Sequence, residues 1–339
     1  MSRRTFRLGF LNHVYSPNFE PRLYQQTLEL FEAAEELGFD SGWLAQHHFA
    51  SESGRLPSPL VLLAAVAERT RHIQLGTGVV VLNQESPLRL AEDAAVLDLL
   101  AEGRLQLGLG AGFDPDSFAA FGQRLDDRHA QYDERLTRLN QALAGAPLNA
   151  EGRVLRPTAA TLGQRLWEAT SRVEQVAARG NGLLLAPNPT AGAEPRGEVV
   201  ERYRRAWNAE APGGPRVALV RAVFPGSDAA TPGSTLRQDI LAYVERQRRI
   251  GIGHADPAQG FEAVLDGLGV LHGEPARIAE QLRQGPVLGP DDHLIVQVQT
   301  TSTSFDEALR HLESVARDIA PALGWRPRQQ HALAQETPA

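Results

Sequence analysis

Short apolar runs alternate with amphipathic stretches along most of the chain. Residues 5–10 (TFRLGF) predict a strand, and residues 22–38 place apolar side chains on one helical face, with Gly38 positioned to end the helix. The pattern then repeats about every 30 residues, with strands at 40–45, 72–82 and 104–110 and helices at 58–70 and 87–103. This alternation predicts a parallel sheet joined by crossover helices.

The second half continues the alternation less regularly. Four further strands are predicted at 165–169, 182–186, 216–224 and 292–300, with helices at 172–180, 198–209, 274–284 and 304–319. The last helix begins with Ser304 and Glu307, which can form a capping box. Eight strands is the count of a (β/α)8 TIM barrel. A doubly wound sheet is the alternative, but the turn after the first strand (LGFLNHVYSP) has no G-x-G-x-x-G fingerprint.

Several stretches are additional to the strands and helices of a minimal barrel. They are a hairpin-containing excursion at 145–164, Pro/Gly/Ala-rich loops at 186–197 and 208–216, a mobile loop at 225–235 and a lid-like insertion at 248–273. The tail after Trp325 is polar. We therefore expect one α/β domain over residues 1–325, a (β/α)8 TIM barrel with insertions, and a disordered tail at 326–339.

Composition narrows the function. The net charge is -7 and the basic residues form no block, so nucleic acid and anionic membranes are poor candidate partners. All 34 basic residues are arginine, which excludes a Schiff-base lysine or a P-loop lysine. The absence of cysteine excludes thiolate chemistry and iron–sulfur clusters. No signal peptide is apparent and no run reaches the roughly 20 apolar residues of a membrane helix, so we expect a cytoplasmic protein.

Candidate chemistry gathers where the predicted strands end. In a barrel these ends open at one mouth, which carries the active site. His47 and His48 follow the second strand in SGWLAQHHFAS and either ring can act as an acid or base near neutral pH, although a buried structural histidine is the plainer interpretation of each. Their side chains diverge and no ligand spacing accompanies them, so we expect no metal site.

Two further motifs suit a phosphate. The glycines of GLGAG (108–112) would let backbone amides approach an anion, although a tight turn explains them equally well. ATSR (169–172) offers hydroxyls and an arginine ahead of a helix, and an ordinary helix cap is its alternative interpretation.

The strings GWLAQHHF, IQLGTGVVVL, SPLRLAEDAAVLDLLAEGRLQLGLGAGF and ARGNGLLLA together resemble the bacterial luciferase-like flavin monooxygenase family. The match extends over roughly residues 5–325 and is best in the first 125. The resemblance implies a (β/α)8 barrel that binds FMN or the deazaflavin F420 at its C-terminal mouth. It implies oxygen chemistry in FMN-dependent members and hydride transfer in F420-dependent members.

The resemblance also assigns residues. His47 falls at the family's catalytic histidine, with His48 beside it, and the Gly78–Val79 bond falls at a non-proline cis peptide under the flavin ring. The family's acidic residue near the flavin is matched by Glu92. Its two phosphate-contacting segments are matched by a further set: Gly110, Ala111, Gly112, Phe113, Thr170 and Ser171.

Two residues, Ala111 and Gln46, depart from the family pattern, and the turn between Ser171 and Gly180 is shorter than the family's. Ala111 stands where luciferases have an arginine, which removes a bidentate phosphate contact. Arg172, next to Ser171, is a candidate to supply that guanidinium from the other side. Gln46 stands where luciferases have a carboxylate, so His47 should be less readily protonated.

The resulting hypothesis is a monooxygenase that uses reduced FMN from a separate flavin reductase, molecular oxygen and a small organic substrate. An F420-dependent dehydrogenase or reductase is one alternative, and a non-catalytic flavin-binding or structural paralogue is another. The resemblance further implies a homodimer in which the first helices pack across the interface.

Overall fold

Eight parallel strands close into a barrel in a computed structural model that describes residues 6–16, 20–49, 54–186, 194–229, 231–249, 251 and 257–327. The strands within these residues are β1 (Arg7–Asn12), β2 (Ser41–Leu44), β3 (Gln74–Thr77), β4 (Val80–Val81), β5 (Leu105–Gly110), β6 (Leu166–Ala169), β7 (Gly182–Leu185), β8 (Val217–Pro225), β9 (Val270–Gly273) and β10 (His293–Gln297). Strand β10 pairs with both β1 and β8, which closes the ring β1-β2-β3-β5-β6-β7-β8-β10. The predicted (β/α)8 TIM barrel is confirmed.

Helices surround the barrel. They are α1 (Leu23–Glu36), α2 (Pro59–Arg69), α3 (Pro87–Leu100), α4 (Pro115–Ala120), α5 (Arg128–Leu143), α6 (Val173–Arg179), α7 (Arg196–Arg205), α8 (Thr235–Arg249), α9 (Phe261–Leu268), α10 (Pro275–Arg283) and α11 (Phe305–Ser314). A π-helical turn, Val315–Ile319, continues α11. The predicted capping box is present in part, because the Oγ atom of Ser304 accepts a hydrogen bond from the Glu307 amide at 3.2 Å.

Arginine fixes one of the helix ends. The side chain of Arg104, just before β5, donates to the backbone oxygens of Ala67 and Thr70 at the C-terminus of α2 and to that of Ile73, just before β3. A helix end leaves such carbonyl groups as those of Ala67 and Thr70 without intrahelical partners, and a guanidinium has enough donors to satisfy several acceptors. The contact holds α2 against β3 and β5 and thereby fixes the barrel wall below the mouth.

Alternate strand residues fill the barrel interior. Trp43 and Trp167 pack edge to face with ring centroids 5.7 Å apart, and Ile295 joins the same buried cluster. Beneath them the Trp43 indole donates to Ser41 Oγ at 2.9 Å, and that hydroxyl contacts His293 Nδ1 at 3.1 Å. Burial lowers the pKa of His293 to about 3. The interior is therefore packed and His293 within it is neutral at physiological pH, and chemistry is expected at the C-terminal mouth.

The regions outside the minimal barrel differ from the sequence prediction. Residues 145–164 form turns, with a cis bond at Arg156–Pro157, and contain no strands, so the predicted hairpin is wrong. The described part of 248–273 ends in α9 and β9, and β9 extends the sheet beyond β8. Residues 187–193 of the predicted loop at 186–197, residues 252–256 of the predicted insertion and residues 328–339 of the predicted tail lie outside the described residues.

Four helices, α4, α5, α8 and α9, were not predicted. The most consequential is α8, whose buried residues Leu236, Ile240 and Val244 pack with α9 and with Ala222 and Phe224 at the far end of β8. Its exposed positions include the apolar residues Leu241 and Ala242, and Gln247 is buried, which weakened its amphipathic signal. This small separate core seats α8 beside the mouth of the barrel.

Candidate active site

Parallel strands bring their C-terminal ends together at one rim. His13 follows β1, His47 follows β2, the Gly78–Val79 bond follows β3, and Gln297 ends β10. The Gly78–Val79 peptide is cis, as the resemblance implied. The structure therefore brings together two predicted positions, His47 and the Gly78–Val79 bond, with His13 and Gln297, which the sequence prediction did not include.

The two histidine rings at the centre of this rim contact each other. The Nδ1 atom of His13 lies 2.9 Å from the Nε2 atom of His47, and the rings stack with centroids 5.2 Å apart. Between two neutral imidazoles one nitrogen must donate and the other accept. If His13 donates, both rings carry their proton on Nδ1, and if His47 donates, both carry it on Nε2. The state of each ring is thus tied to the state of the other.

Both rings are neutral at physiological pH. Burial, followed by the charge of Arg246, lowers the pKa of His13 to about 4. Burial also lowers the pKa of His47 well below its usual value, and the neighbouring His13, Arg246 and His48 add to the effect. The expectation that His47 resists protonation is confirmed, but its main cause is burial and not the absence of a carboxylate at Gln46.

Gln46 connects the histidine strand to the cis peptide. Its backbone amide donates to the Val79 oxygen at 3.3 Å, and its side-chain oxygen accepts from the Val81 amide at 2.7 Å. Its side-chain nitrogen donates to Glu85 Oε1 at 2.8 Å. Burial raises the pKa of Glu85, although the bond from Gln46 opposes that shift. A neutral amide donor to Glu85 thus stands where the family pattern has a carboxylate, and it fixes the ledge made by Gly78 and Val79.

His48 turns away from His47. Its ring lies 4.9 Å from that of Phe121 and 5.7 Å from that of Phe49, both of which are exposed. Its pKa is lowered by burial, while the charge of Asp114 acts in the opposite direction. His48 therefore lies at the outer rim of the mouth beside two exposed aromatic rings.

The glycine-rich turn after β5 leaves backbone amides available. Asn83 holds the turn by donating to the Ala111 oxygen at 2.8 Å. Gly112 has φ of +78°, and an added Cβ would lie 2.6 Å from Val81 Cγ1, so both backbone conformation and space require glycine. Within the described residues, the amides of Gly112 and Phe113 donate to no acceptor. Successive unpaired amides of this kind suit an anion such as a phosphate. The Phe113 side chain is exposed.

The second phosphate segment is tied to α5. Arg172 makes a bidentate ion pair with Asp133, with nitrogen–oxygen distances of 2.7 and 3.0 Å. Burial raises the pKa of Asp133, but Arg172 and Arg179 outweigh it and lower that pKa overall. The Arg172 Nε atom is buried and has no partner within the described residues. Thr170 Oγ1 accepts from the Arg172 amide at 3.1 Å, and Ser171 is exposed.

Arg172 is therefore not the free guanidinium that the sequence suggested. Its terminal nitrogens are held by Asp133, and only its Nε atom faces no acceptor.

Glu92 lies away from the barrel mouth. It is on the exposed face of α3, where it pairs with Arg89 at 3.1 Å, and nothing in its contacts joins it to the mouth. The sequence match placed Glu92 near the flavin, but the helix directs its side chain to solvent, so we leave it out of the site.

Sequence reasoning missed His13, Tyr15, Asn83, Glu85 and Arg246. His13 was detectable, because alternation along β1 directs Leu11 and the residue two positions later to the same face. Arg246 was not, because α8 was not predicted. Within the described residues, no group of acidic or histidine side chains is arranged to hold a metal, and no helix is long and apolar enough to cross a membrane.

Known proteins resemble this chain over the residues that form the site. Residues 11–291 match the family described as luciferase-like monooxygenase. Among curated proteins, the N-acetyl-S-alkylcysteine monooxygenase of Bacillus subtilis (strain 168) is 28% identical over 282 residues, which cover 76% of this chain and 81% of that protein. Curated relatives at 36% to 39% identity are matched over only 37% to 42% of their own length.

Solved structures share the whole fold. Monooxygenase RslO1 from Streptomyces bottropensis gives a TM-score of 0.76 at 26% identity, covering 94% of this chain and 100% of that chain. The oxygenating constituent of 3,6-diketocamphane monooxygenase from Pseudomonas putida, in complex with FMN, gives 0.73 at 19% identity, covering 95% and 100%. An F420-dependent secondary alcohol dehydrogenase gives 0.66 at 13% identity, covering 95% and 99%. The last two likenesses establish the fold alone.

Proposed function

Because the chain belongs to the luciferase-like monooxygenase family, we propose that it uses reduced FMN and molecular oxygen to oxidise a small organic substrate. The observation that carries this proposal is the convergence at one mouth of the His13–His47 pair, the Gly78–Val79 ledge and the unpaired amides of the turn after β5. A separate flavin reductase would supply the reduced FMN, and the cytoplasm is the proposed setting.

The mouth offers both an uncharged surface for a flavin ring and hydrogen-bond donors for a phosphate group. Its wall at β3 is an uncharged ledge of Gly78 and Val79 next to the apolar interior. Its edge at β5 offers the amides of Gly112 and Phe113 to a phosphate, with the Nε atom of Arg172 as a further unpaired donor. Gly110, Ala111, Thr170 and Ser171 complete the proposed phosphate end. The residues present therefore fit this cofactor.

Bound reduced FMN would supply the electrons that activate oxygen, and the chain would supply proton control and exclusion of water. The Nδ1 atom of His47 has no partner within the described residues and is the nitrogen left free by the bond to His13. His47 is thus the proposed catalytic residue, acting at Nδ1 as donor or acceptor. His13 is a positioning residue, because it contacts the reacting position only through His47. His48, at the rim, is proposed to border the substrate.

An F420-dependent dehydrogenase is the alternative, since an enzyme that holds F420 shares this fold. Fluorescence titration of the purified chain with FMN, anaerobic reduced FMN and F420 separates the two. Saturable binding of FMN in either redox state, with much weaker binding of F420, supports the monooxygenase. Preference for F420 supports the alternative, and binding of neither cofactor would support a non-catalytic paralogue and overturn both.

A homodimer formed through α2 and α3 belongs to the same proposal. These helices pack side by side and expose apolar side chains to solvent, with Val61 74% and Leu99 62% exposed and Val96 and Leu100 beside them on α3. Sedimentation velocity should show a dimer that Leu99→Glu converts to a monomer. The matched control is Val287→Glu, which changes an apolar residue elsewhere that is even more exposed (82%) and should leave the dimer intact.

A further inference from the structure

Asn83 is a buried side chain between the ledge of Gly78 and Val79 and the glycine-rich turn after β5. It follows β4, which pairs with Leu109 and Gly110 at the end of β5. The Asn83 side chain is fully buried. Because a buried amide must find its partners inside the protein, the hydrogen bonds of Asn83 decide how the surrounding loops are held.

The Asn83 side chain donates to two loops at once. Its Nδ2 atom lies 2.8 Å from the Ala111 oxygen and 2.8 Å from the Arg128 oxygen, so both of its N–H bonds have a backbone acceptor. If the amide were turned over, its oxygen would face those two carbonyl oxygens, so its orientation is determined. The side chain of Gln123 donates to the Asn83 backbone oxygen and anchors Asn83 from a third direction.

The bond from Asn83 fixes one peptide plane of the turn. The two cis bonds of the described residues lie elsewhere, so the peptide between Ala111 and Gly112 is trans. In a planar trans peptide the C=O and N–H bonds point in opposite directions. Because Asn83 holds the Ala111 oxygen, the Gly112 N–H must point away from Asn83 and from the buried side of the turn.

The direction of this peptide depends on Asn83 and not on Gly112 itself. A glycine has no Cβ, so it tolerates the backbone angles that either direction of the preceding peptide would require. Within the described residues the Gly112 amide donates to no acceptor, so no internal bond holds the N–H group. In the reversed peptide the Ala111 oxygen would take the place of the N–H group and repel an anion.

We propose that Asn83 is a positioning residue for phosphate recognition, which turns the peptide between Ala111 and Gly112 so that the Gly112 N–H, and not the Ala111 oxygen, faces the phosphate of FMN. The inference rests on the proposed binding of FMN at this mouth. It assigns the selection of a phosphorylated flavin to a buried side chain that acts through the backbone. Loss of the Asn83 amide should therefore weaken the binding of FMN much more than that of riboflavin, which lacks the phosphate.

The test is the ratio of the dissociation constants for riboflavin and FMN, measured by flavin fluorescence on the full chain. Wild type should prefer FMN. Asn83→Ala removes both bonds without burying a charge and should reduce that preference roughly tenfold, the effect of one misdirected hydrogen bond to a charged group. Asn83→Asp presents a carboxylate to the two carbonyl oxygens and should reduce the preference further. Riboflavin affinity should stay close to that of wild type, which also shows that each variant is folded.

Asn208→Asp is the matched control. Asn208 also donates its side-chain amide to a backbone oxygen, that of Ala178, but it lies beyond the C-terminus of α7. This variant should keep the wild-type ratio. The ¹⁵N–¹H signal of the Gly112 amide is a second measurement. In wild type it should shift more with FMN than with riboflavin, and in Asn83→Ala the two flavins should shift it alike.

Two results would overturn the inference and leave the proposed function in place. One is an unchanged ratio in both Asn83 variants, and the other is an equal loss of affinity for FMN and riboflavin, which would assign Asn83 a structural role only. A wild-type chain that binds neither flavin would overturn the proposed function and the inference together.

Discussion

The Nδ1 atom of His13 and the Nε2 atom of His47 lie 2.9 Å apart, although 34 residues separate them in the sequence. Two neutral rings in this contact share one proton, so a proton gained or lost by His47 on its free side is felt by His13. The pair is the chemical centre of the mouth. The first predictions test it directly.

Substitution of the pair should separate catalysis from positioning. We expect His47→Gln to lower kcat by roughly 10²- to 10⁴-fold, the range of a lost acid–base group. His13→Gln should lower kcat by about tenfold and alter the pH dependence of kcat, because it changes which nitrogen of His47 carries the proton. The control is His72→Gln at an exposed site, which should change neither quantity. Equal effects of His13→Gln and His72→Gln would remove His13 from the site.

The same pair should make the protein less stable in acid. The folded-state pKa of His13 is about 4 and its unfolded value about 6.5, so between those values the unfolded chain binds more protons. The stabilising contribution is therefore complete above about pH 6.5 and is lost as the pH falls towards 4. At about 1.4 kcal/mol per pKa unit, the loss from His13 is roughly 3 kcal/mol.

Urea unfolding at about pH 7 and at about pH 4.5 measures this loss. His13→Gln should show a smaller fall in unfolding free energy than wild type over the same interval. An identical fall in both proteins would show that His13 does not titrate in the way described.

Two glycines provide a matched test of the phosphate end. Gly112 and Gly122 both have positive φ, +78° and +66°, but only at Gly112 would a Cβ meet neighbours, Val81 and Phe118. Alanine at either position should cost about 1 kcal/mol of stability from the backbone alone. Only Gly112→Ala should also weaken FMN binding, by about tenfold or more, because it displaces the turn. If FMN affinity falls equally in both variants, the turn after β5 does not hold the phosphate.

Arg172 is expected to contribute to phosphate selectivity through its unpaired Nε atom. Arg172→Gln should reduce the preference for FMN over riboflavin by roughly three- to tenfold, in keeping with one charge-assisted hydrogen bond. Arg317→Gln, at an exposed position of the π-helical turn, is the control and should leave the ratio of the two dissociation constants unchanged. An unchanged ratio in Arg172→Gln would assign Arg172 to its ion pair with Asp133 alone.

The barrel could be predicted because its signals are local. Apolar runs such as HIQLGTGVVVL and helical stripes such as Leu90, Ala94, Leu97 and Ala101 report burial directly, and all four stripe residues are buried. The Gly78–Val79 cis bond followed from family resemblance and not from local physics. The sequence drew attention to Gln46, but the network that Gln46 forms with Val81 and Glu85 depends on side-chain geometry that the sequence does not contain.

The site was harder to predict because its contacts join distant segments. His13 meets His47 only after β1 and β2 pair in parallel, and the charge of Arg246 acts on that pair only because α8 packs on β8 and α9. Glu92 and Arg172 were singled out from the sequence, but each side chain is held by a local ion pair. Glu92 pairs with Arg89, and Arg172 pairs with Asp133.

The most direct test of the central claim is the fate of labelled oxygen. The full chain is loaded anaerobically with reduced FMN and mixed with ¹⁸O₂ and a panel of aldehydes, ketones, thioethers and sulfonates. The isotopic composition of the products is measured by mass spectrometry. We predict at least one product that carries a single ¹⁸O atom, with a yield per turnover that falls about a hundredfold or more in His47→Gln. Binding of no flavin, or ¹⁸O incorporation that is the same in wild type and His47→Gln, would contradict the account.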